Sequence, residues 1–440
     1  MKYYSTNNSS NRVSIEEALL LGQAPDKGLF MPESIPRIDK KTLVSFRDMS
    51  YPEVAFAVMR LFLEGVVLDS ELKQMAERAY SFAVPIEHIH RNRYILRLDQ
   101  GPTASFKDFA ARMLARLMEH LVRNDEKELL ILVATSGDTG GAVADAFYDR
   151  ENIKVIVLFP DSEISNIQRK QMTTLGGNIT ALAVNGTFDD CQGMVRRAFA
   201  DPALKHIRLS SANSINFGRM IPQIVYYFYA HSRIAKQDEE VVFSVPSGNM
   251  GNMVAGVFAK KMGLPVKTVI AAFNANDEFT TFLRTGTYTP IAPPKRCLST
   301  AMNIGNPSNL ARLFALYGGH LDETGVIRKL PDLNKMKTEV SAVTITDEET
   351  VKTLKTMFKR HSVILEPHGA VGWAGLERSN SALPGISLET AHPAKFLEEM
   401  HLLGIVPDEH PAIRDVINKK EINTTKITMY KELFEIILSV

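Results

Sequence analysis

The sequence predicts an α/β protein with open, mostly parallel sheets that carry helices on both faces. Short all-apolar segments, typical of strands buried on both sides, recur along the chain. Segments with helical periodicity separate them, and this alternation of strand and helix favours parallel pairing. Loops rich in glycine, hydroxyl and amide side chains follow several of these strands. We therefore expect ligands to bind at the carboxyl ends of the strands.

The individual elements follow from the apolar patterns. We predict strands at 129–133, 155–159, 180–184, 241–245, 269–273 and 343–345. We predict helices at about 13–20, 51–63, 68–82, 139–149, 163–175, 188–200, 218–234, 251–262 and 347–360. The expected domains are an N-terminal helical domain (1–95), a catalytic region of two α/β lobes (96–392) with an irregular insertion at about 274–340, and a C-terminal helical extension (393–440).

Composition excludes several classes of protein. A net charge of +1 over 440 residues provides no general attraction to nucleic acid or to acidic membranes. Cys191 and Cys297 are too few for a disulfide framework or a cysteine-based zinc site. The first residues lack the apolar run of a secretion signal, and no apolar stretch approaches the length of a membrane span. We expect a cytoplasmic protein without nucleic-acid or membrane partners and without a metal.

Lys107 stands where small polar residues lead into an apolar helix face. That face recurs at steps of three and four residues and comprises Phe106, Phe109, Ala110, Met113, Leu114, Leu117 and Leu121. Ser105 and Asp108 predict a helix start with a capping box, which places Lys107 in the first turn. A cation there costs on the order of 0.3–1 kcal/mol because the helix N-terminus is partly positive. A neutral amine or a Schiff base avoids this cost, and a solvated surface lysine is the alternative.

Three loops have the composition of anion sites. Residues 134–142 combine glycines with hydroxyl side chains at the start of a helix, which indicates either an anion site or a tight turn. Residues 245–252 combine glycine and asparagine, and we expect them to hold a phosphate through backbone and amide donors. In residues 213–219, Arg219 is either a clamp for a phosphate or carboxylate or an ordinary surface arginine.

Two further turns carry polar groups. His368 and His392 do not have the spacing of metal ligands, and we predict structural roles for both. Thr390 comes just after a short apolar segment, a position at which its hydroxyl can face a pocket.

Together these motifs resemble a known family. Residues 103–108 resemble the lysine motif of the pyridoxal-phosphate enzymes of the tryptophan-synthase-β fold, and residues 248–252 resemble the phosphate-binding loop of those enzymes. Taken in their order along the chain, these motifs are similar to those of the threonine synthase family, in the subgroup with an added N-terminal domain and a lysine motif ending Phe-Lys-Asp. The resemblance implies two open-sheet lobes of the tryptophan-synthase-β type and a small, mainly helical N-terminal domain. It extends to about Leu397 and is weakest over 274–340.

The resemblance also implies a cofactor, pyridoxal 5'-phosphate, and roles for individual residues. Lys107 is expected to form the Schiff base, and Thr390 to hydrogen-bond the pyridine nitrogen. The residues expected to hold the cofactor phosphate are Gly248, Asn249, Met250, Gly251 and Asn252. Those expected on the substrate side are Thr135, Ser136, Gly137, Asp138, Thr139, Asn213, Asn216 and Arg219. Asp138 is also a candidate contact to the cofactor ring, but relatives in the wider fold carry asparagine there.

The implied activity is the conversion of O-phospho-L-homoserine and water to L-threonine and phosphate. The two anion sites fit two phosphates, one on the cofactor and one on the substrate, and the amine of Lys107 is expected to move the protons. The nearest alternative is a serine/threonine dehydratase or a β-replacement enzyme of the same fold, whose substrates lack a phosphate. The sequence also leaves open a nucleotide-binding regulatory module and an inactive scaffold.

Overall fold

The computed structural model describes residues 1–8, 10–422 and 424–439. The helices are α1 (Ile15–Leu21), α2 (Lys40–Ser45), α3 (Tyr51–Leu63), α4 (Asp69–Ala79), α5 (Lys107–Val122), α6 (Asp138–Phe147), α7 (Asn166–Thr173), α8 (Phe188–Ala200), α9 (Ile221–Ile234), α10 (Gly251–Lys261), α11 (Glu278–Thr285), α12 (Leu310–Leu316), α13 (Leu333–Glu339), α14 (Asp347–His361), α15 (Pro367–Arg378), α16 (Leu397–Leu402), α17 (Pro411–Ile417) and α18 (Tyr430–Ser439). The strands are β1 (Tyr3–Ser5), β2 (Arg12–Val13), β3 (Phe30–Pro32), β4 (Ile86–His90), β5 (Arg93–Arg97), β6 (Leu129–Ala134), β7 (Ile153–Pro160), β8 (Ile179–Val184), β9 (Leu209–Ser210), β10 (Val241–Pro246), β11 (Val266–Phe273), β12 (His320–Leu321), β13 (Ile327–Lys329), β14 (Val340–Thr344), β15 (Gly385–Glu389) and β16 (Thr424–Ile427).

Two open sheets organise the chain. One has the strand order β16-β8-β7-β6-β9 and is parallel throughout. The other has the order β14-β11-β10-β15-β5-β4, in which only the edge strand β4 pairs antiparallel, with β5. The strands β6 and β10 are buried along their whole length, as central strands covered on both faces must be. The predicted α/β class with two open-sheet lobes is confirmed.

The N-terminal residues combine helices with a small antiparallel sheet of order β2-β1-β3. Strands β4 and β5 also fall before residue 98, yet they belong to the six-stranded sheet. The predicted insertion at 274–340 contains the helices α11, α12 and α13, each seven or eight residues long. Such short helices show too few turns for a hydrophobic period to be recognised in the sequence. In the C-terminal residues, β16 extends the five-stranded sheet beside β8.

Helix α5 carries Lys107 and is largely buried. Its buried face includes Phe109, Met113, Leu114 and Leu117, in the predicted three-and-four spacing. Each fully buried apolar side chain of this size contributes about 1.5–3 kcal/mol to stability. The helix packs against α4, α6 and α9, so the first turn of α5, which carries Lys107, is rigidly positioned.

Within the described ranges, no helix is long and apolar enough to cross a membrane.

Candidate active site

The predicted site loops meet where strands of both sheets end. The loops after β6 and β9 come from one sheet, and those after β10 and β15 come from the other. Asn213 Nδ2 donates to the carbonyl oxygen of Ala134 at 2.8 Å, which joins the first pair of loops. The backbone N–H of Phe106 donates to the carbonyl oxygen of Thr390 at 2.8 Å. The lysine segment is therefore fixed beside the loop that carries Thr390.

Lys107 is the first residue of α5, and its side chain is partly buried. Its Nζ lies 4.6 Å from the ring centroid of Phe106. Burial, together with the charge of Arg219, lowers the pKa of Lys107 to about 8, although Asp138 acts in the opposite direction. The amine therefore differs from that of a solvated surface lysine, because a sizeable fraction of it is neutral near physiological pH.

The predicted capping box at Ser105 and Asp108 is wrong. The N-cap of α5 is Phe106, in a helical conformation and without a side-chain cap. The carboxylate of Asp108 instead accepts the backbone N–H of Thr103 at 2.9 Å and its hydroxyl at 2.6 Å. The carboxylate turns back to the loop because Ala104, with φ of 55°, bends the chain just before the helix. Burial raises the pKa of Asp108 to about 6, even though the Thr103 contacts lower it.

Asp138 forms a buried ion pair that the sequence patterns did not predict. Its Oδ1 lies 2.6 Å from Lys395 Nζ and accepts Gln168 Nε2 at 3.0 Å. Burial works against ionisation, but Lys395 holds the pKa of Asp138 below its ordinary value. Lys395 also donates to the carbonyl oxygen of Thr103 at 3.0 Å, and its side chain is fully buried. In the sequence, a lysine within the short apolar segment 393–397 was the signal that could have identified Lys395 as a buried partner.

The turn after β10 has the shape of a phosphate cradle. Met250 adopts a left-handed conformation with φ of 60°, which directs the chain into α10 at Gly251. The first backbone N–H groups of an α-helix have no backbone partner within the helix. That of Met253 donates to Asn252 Oδ1 at 3.0 Å, which leaves those of Gly251 and Asn252 for an anion. A Cβ on Gly248 would lie 2.7 Å from a backbone oxygen of Ala301, so the turn has no room for a side chain there. Asn252 closes the turn by donating to the carbonyl oxygen of Pro246 at 3.1 Å.

Asn249 ties this turn to residues for which the sequence predicted no role. Its Oδ1 lies 3.4 Å from both the backbone nitrogen and the hydroxyl of Ser308. Its carbonyl oxygen accepts the backbone N–H of Asn309 at 3.3 Å. The segment before α12 therefore forms one wall of the cradle.

The loop after β6 is ordered by its own hydroxyl group. Thr135 Oγ1 accepts the backbone N–H of Gly137 at 2.9 Å and that of Gly140 at 2.8 Å. Gly137, with φ of 130°, precedes α6 as its N-cap. Ser136 in this loop and Thr139 in the first turn of α6 are partly buried. The predicted substrate loop therefore forms an ordered helix N-terminus, and the Thr135 hydroxyl is hydrogen-bonded within it.

The side chain of Asn216 is hydrogen-bonded to backbone atoms. Its Nδ2 donates to the carbonyl oxygens of Leu19 and Ser211, both at 2.9 Å, and its Oδ1 accepts the N–H of Gly218 at 2.9 Å. The side chain therefore holds the loop against α1 of the N-terminal residues, and its amide donors are already engaged.

Arg219 is buried and retains a donor for an anion. Its Nη1 donates to the carbonyl oxygen of Ala212 at 2.7 Å, whereas its Nε has no hydrogen-bond partner within residues 1–8, 10–422 and 424–439. Burial lowers the pKa of Arg219 to about 10, with Asp108 opposing, so the guanidinium remains charged at neutral pH. A buried cation with an unused N–H is costly without a ligand, which favours an anion at this point.

Thr390 is oriented by the buried carboxylate of Glu366. Its hydroxyl donates to Glu366 Oε1 at 3.3 Å. Glu366 also accepts the backbone N–H groups of His368 at 2.7 Å and Gly369 at 2.8 Å. His368 contacts Glu366 through Nδ1 and accepts the N–H of Ala301 through Nε2 at 3.0 Å.

The site fits an aldehyde that carries a phosphate. It offers one amine with a lowered pKa, a glycine turn at a helix N-terminus and a buried arginine with a free donor. The fold and these groups define a pyridoxal-phosphate-dependent enzyme with two open-sheet lobes.

Comparisons with known proteins identify the family. Residues 2–80 match the family described as threonine synthase N terminus, and residues 83–386 match the pyridoxal-phosphate dependent enzymes. The chain is 37% identical to a threonine synthase of Pseudomonas aeruginosa, with 92% of this chain and 91% of the relative covered. It is 36% identical to the Escherichia coli threonine synthase, with 92% and 91% covered.

Solved structures of threonine synthases support the same family. A crystal structure of pyridoxal-phosphate-bound threonine synthase from Brucella melitensis superposes with a TM-score of 0.93 at 34% identity, over 99% of this chain and 98% of that chain. The Escherichia coli enzyme gives 0.90 at 34% identity over the full length of both chains. The chain belongs to the threonine synthase family. The predicted family, fold, pyridoxal-phosphate dependence and threonine synthase activity are confirmed, whereas the roles of individual residues stay predictions.

Proposed function

We propose that Lys107 is the amine that holds pyridoxal phosphate and then serves as the proton carrier of threonine synthesis from O-phospho-L-homoserine. The observation that carries this proposal is the partly buried position of Lys107 in the first turn of α5, next to the Thr390 loop, where burial lowers the pKa of its amine to about 8. Bound at this amine, the cofactor would supply an electron sink for negative charge at the substrate Cα. Residues 248–252 would hold its phosphate, and Thr390 would face its ring nitrogen.

Lys107 can carry protons because its charged and neutral forms are both accessible near pH 8. As a neutral amine it would take the proton from Cα and give that proton up to the bound reactant before it takes a proton from Cβ. After phosphate leaves Cγ, the ammonium form would protonate Cγ. Water would then add its hydroxyl group at Cβ, its other proton would go to the released phosphate, and a proton would return to Cα. Asp138 limits how far the pKa of Lys107 falls, and Arg219 limits how far it rises.

Arg219 and the loop after β6 would bind the substrate. The unused Nε of Arg219 is the donor best suited to a phosphate oxygen, and its burial strengthens that contact. Thr135, Ser136, Gly137, Asp138 and Thr139 stay the proposed substrate side, with Asn213 at its edge. Asn216 would act only by positioning this loop, since its amide is already engaged.

Turnover of a phosphorylated substrate tests the assignment. Purified protein with added pyridoxal phosphate is given O-phospho-L-homoserine, and phosphate and threonine are measured together. We expect the two products in equal amounts, no turnover by Lys107→Ala, and full turnover by Lys431→Ala, which removes an exposed lysine. Faster deamination of threonine or serine than release of phosphate would support a dehydratase instead. Full activity of Lys107→Ala would refute the lysine assignment.

The remaining expectations are also proposals. We place the enzyme in the cytoplasm, on the basis of two cysteines that are both free. We keep the division of the chain into an N-terminal domain (1–95), a catalytic region (96–392) and a C-terminal extension (393–440), with β4, the start of β5 and β16 as the strands that the two flanking parts contribute to the sheets of the catalytic region. We expect neither nucleic acid nor a membrane as a partner.

A further inference from the structure

Asn309 precedes α12, in the segment for which the sequence predicted no chemistry. The residue is completely buried, and its side-chain Nδ2 has no hydrogen-bond partner among the described residues. A buried amide N–H without a partner costs roughly 1–3 kcal/mol. An unsatisfied donor of this kind therefore calls for a ligand.

The orientation of the amide is fixed by Arg312. Arg312 Nη1 lies 2.6 Å from Asn309 Oδ1. A guanidinium only donates, so the atom facing it must be the amide oxygen, and Nδ2 must face away from Arg312. Arg312 itself is immobilised, because it also donates to the carbonyl oxygens of Phe30 at 3.2 Å and Ser214 at 2.9 Å.

Nδ2 faces the start of α10. A Cβ on Gly251 would lie 3.4 Å from Asn309 Nδ2 and 3.8 Å from Ser214 Cβ. Glycine at this position therefore leaves open a small space between the amide and the N-terminus of an 11-residue helix. The backbone contact from Asn309 to Asn249 fixes the distance between the two segments.

We propose that Asn309 donates a hydrogen bond to the cofactor phosphate at the N-terminus of α10, with Arg312 as its positioning residue. The inference rests on the proposed cofactor site at residues 248–252. That turn contains no lysine or arginine, so a neutral amide adds a directional donor beside the backbone N–H groups. Arg312 would act through Asn309 and not by touching the phosphate.

The test uses Asn309→Asp. This variant keeps the size of the side chain and an oxygen facing Arg312, but it replaces the donor by an acceptor. The matched control is Asn306→Asp, because Asn306 lies three residues away and uses its amide on Glu323 and Tyr288. The dissociation constants of pyridoxal phosphate and of pyridoxal, which lacks the phosphate, are measured on the apo-enzyme of each variant. Thermal unfolding of the apo-enzymes shows whether the fold is retained, and Asn309→Ser is used if Asn309→Asp fails to fold.

Asn309→Asp is expected to weaken pyridoxal phosphate about 10- to 100-fold and pyridoxal less than about twofold. The ³¹P resonance of bound pyridoxal phosphate should shift in Asn309→Asp and not in Asn306→Asp. Equal weakening of both ligands, no weakening of either, or a change confined to the KM for O-phospho-L-homoserine would each overturn the inference. A wild-type protein that binds no pyridoxal phosphate would instead overturn the proposed function.

Discussion

The lowered pKa of Lys107 gives the most quantitative prediction. A pKa of about 8, compared with an ordinary value of 10.5, raises the neutral fraction at pH 7 from about 1 in 3,000 to about 1 in 10. This is roughly a 300-fold gain in reactive amine. Burial is the main cause and the charge of Arg219 adds to it, so Arg219→Gln should move the pKa of Lys107 upward.

Competitive labelling measures this directly. The apo-enzyme is acetylated with traces of acetic anhydride between pH 6 and pH 11, and each lysine peptide is quantified by mass spectrometry. We expect the reactivity of Lys107 to level off above about pH 8, and the peptide of the exposed Lys431 is quantified in the same digests as a control for the labelling. A break for Lys107 near pH 10.5, or no upward movement of that break in Arg219→Gln, would refute the electrostatic reasoning.

Three further predictions test the surroundings. Gly248→Ala forces a Cβ to within 2.7 Å of a backbone oxygen and should weaken pyridoxal phosphate binding by about tenfold or more, whereas Gly193→Ala, with open space around it, should not. Lys395→Met leaves Asp138 buried without its partner and should lower the free energy of unfolding in urea by about 3–5 kcal/mol, most of which Asp138→Asn should restore in the double variant. Arg219→Gln should raise the KM for O-phospho-L-homoserine about 10- to 100-fold, and an unchanged KM would exclude Arg219 from phosphate binding.

The sequence predicted the elements with strong apolar patterns. Strands β6, β8 and β10 fall within a residue of their predicted bounds because each is a strongly apolar segment, which only Thr180 in β8 and Ser244 in β10 interrupt. Strand β5, with arginine at both ends, lacks such a run, and its burial is decided by pairing with β15. Its identity could therefore not be read from its own residues.

The site was predictable where one residue type performs one role. Lys107 is such a case, because the apolar face of its own helix and the composition of each glycine loop can be read from consecutive residues. Lys395 and Asn309 are different, because their importance comes from partners far away in the chain, Asp138 and the turn at Gly251. The cap of α5 was mispredicted for a similar reason, since Asp108 satisfies a loop whose path is set by the Thr390 segment.

Localisation of the cofactor on the chain decides whether Lys107 is the amine that binds it. The protein is loaded with pyridoxal phosphate, reduced with borohydride, digested and analysed by mass spectrometry. We expect one modified peptide, with the cofactor mass on Lys107. The mass on Lys395 or another lysine, with Lys107 unmodified, would contradict the assignment on which the proposed mechanism rests.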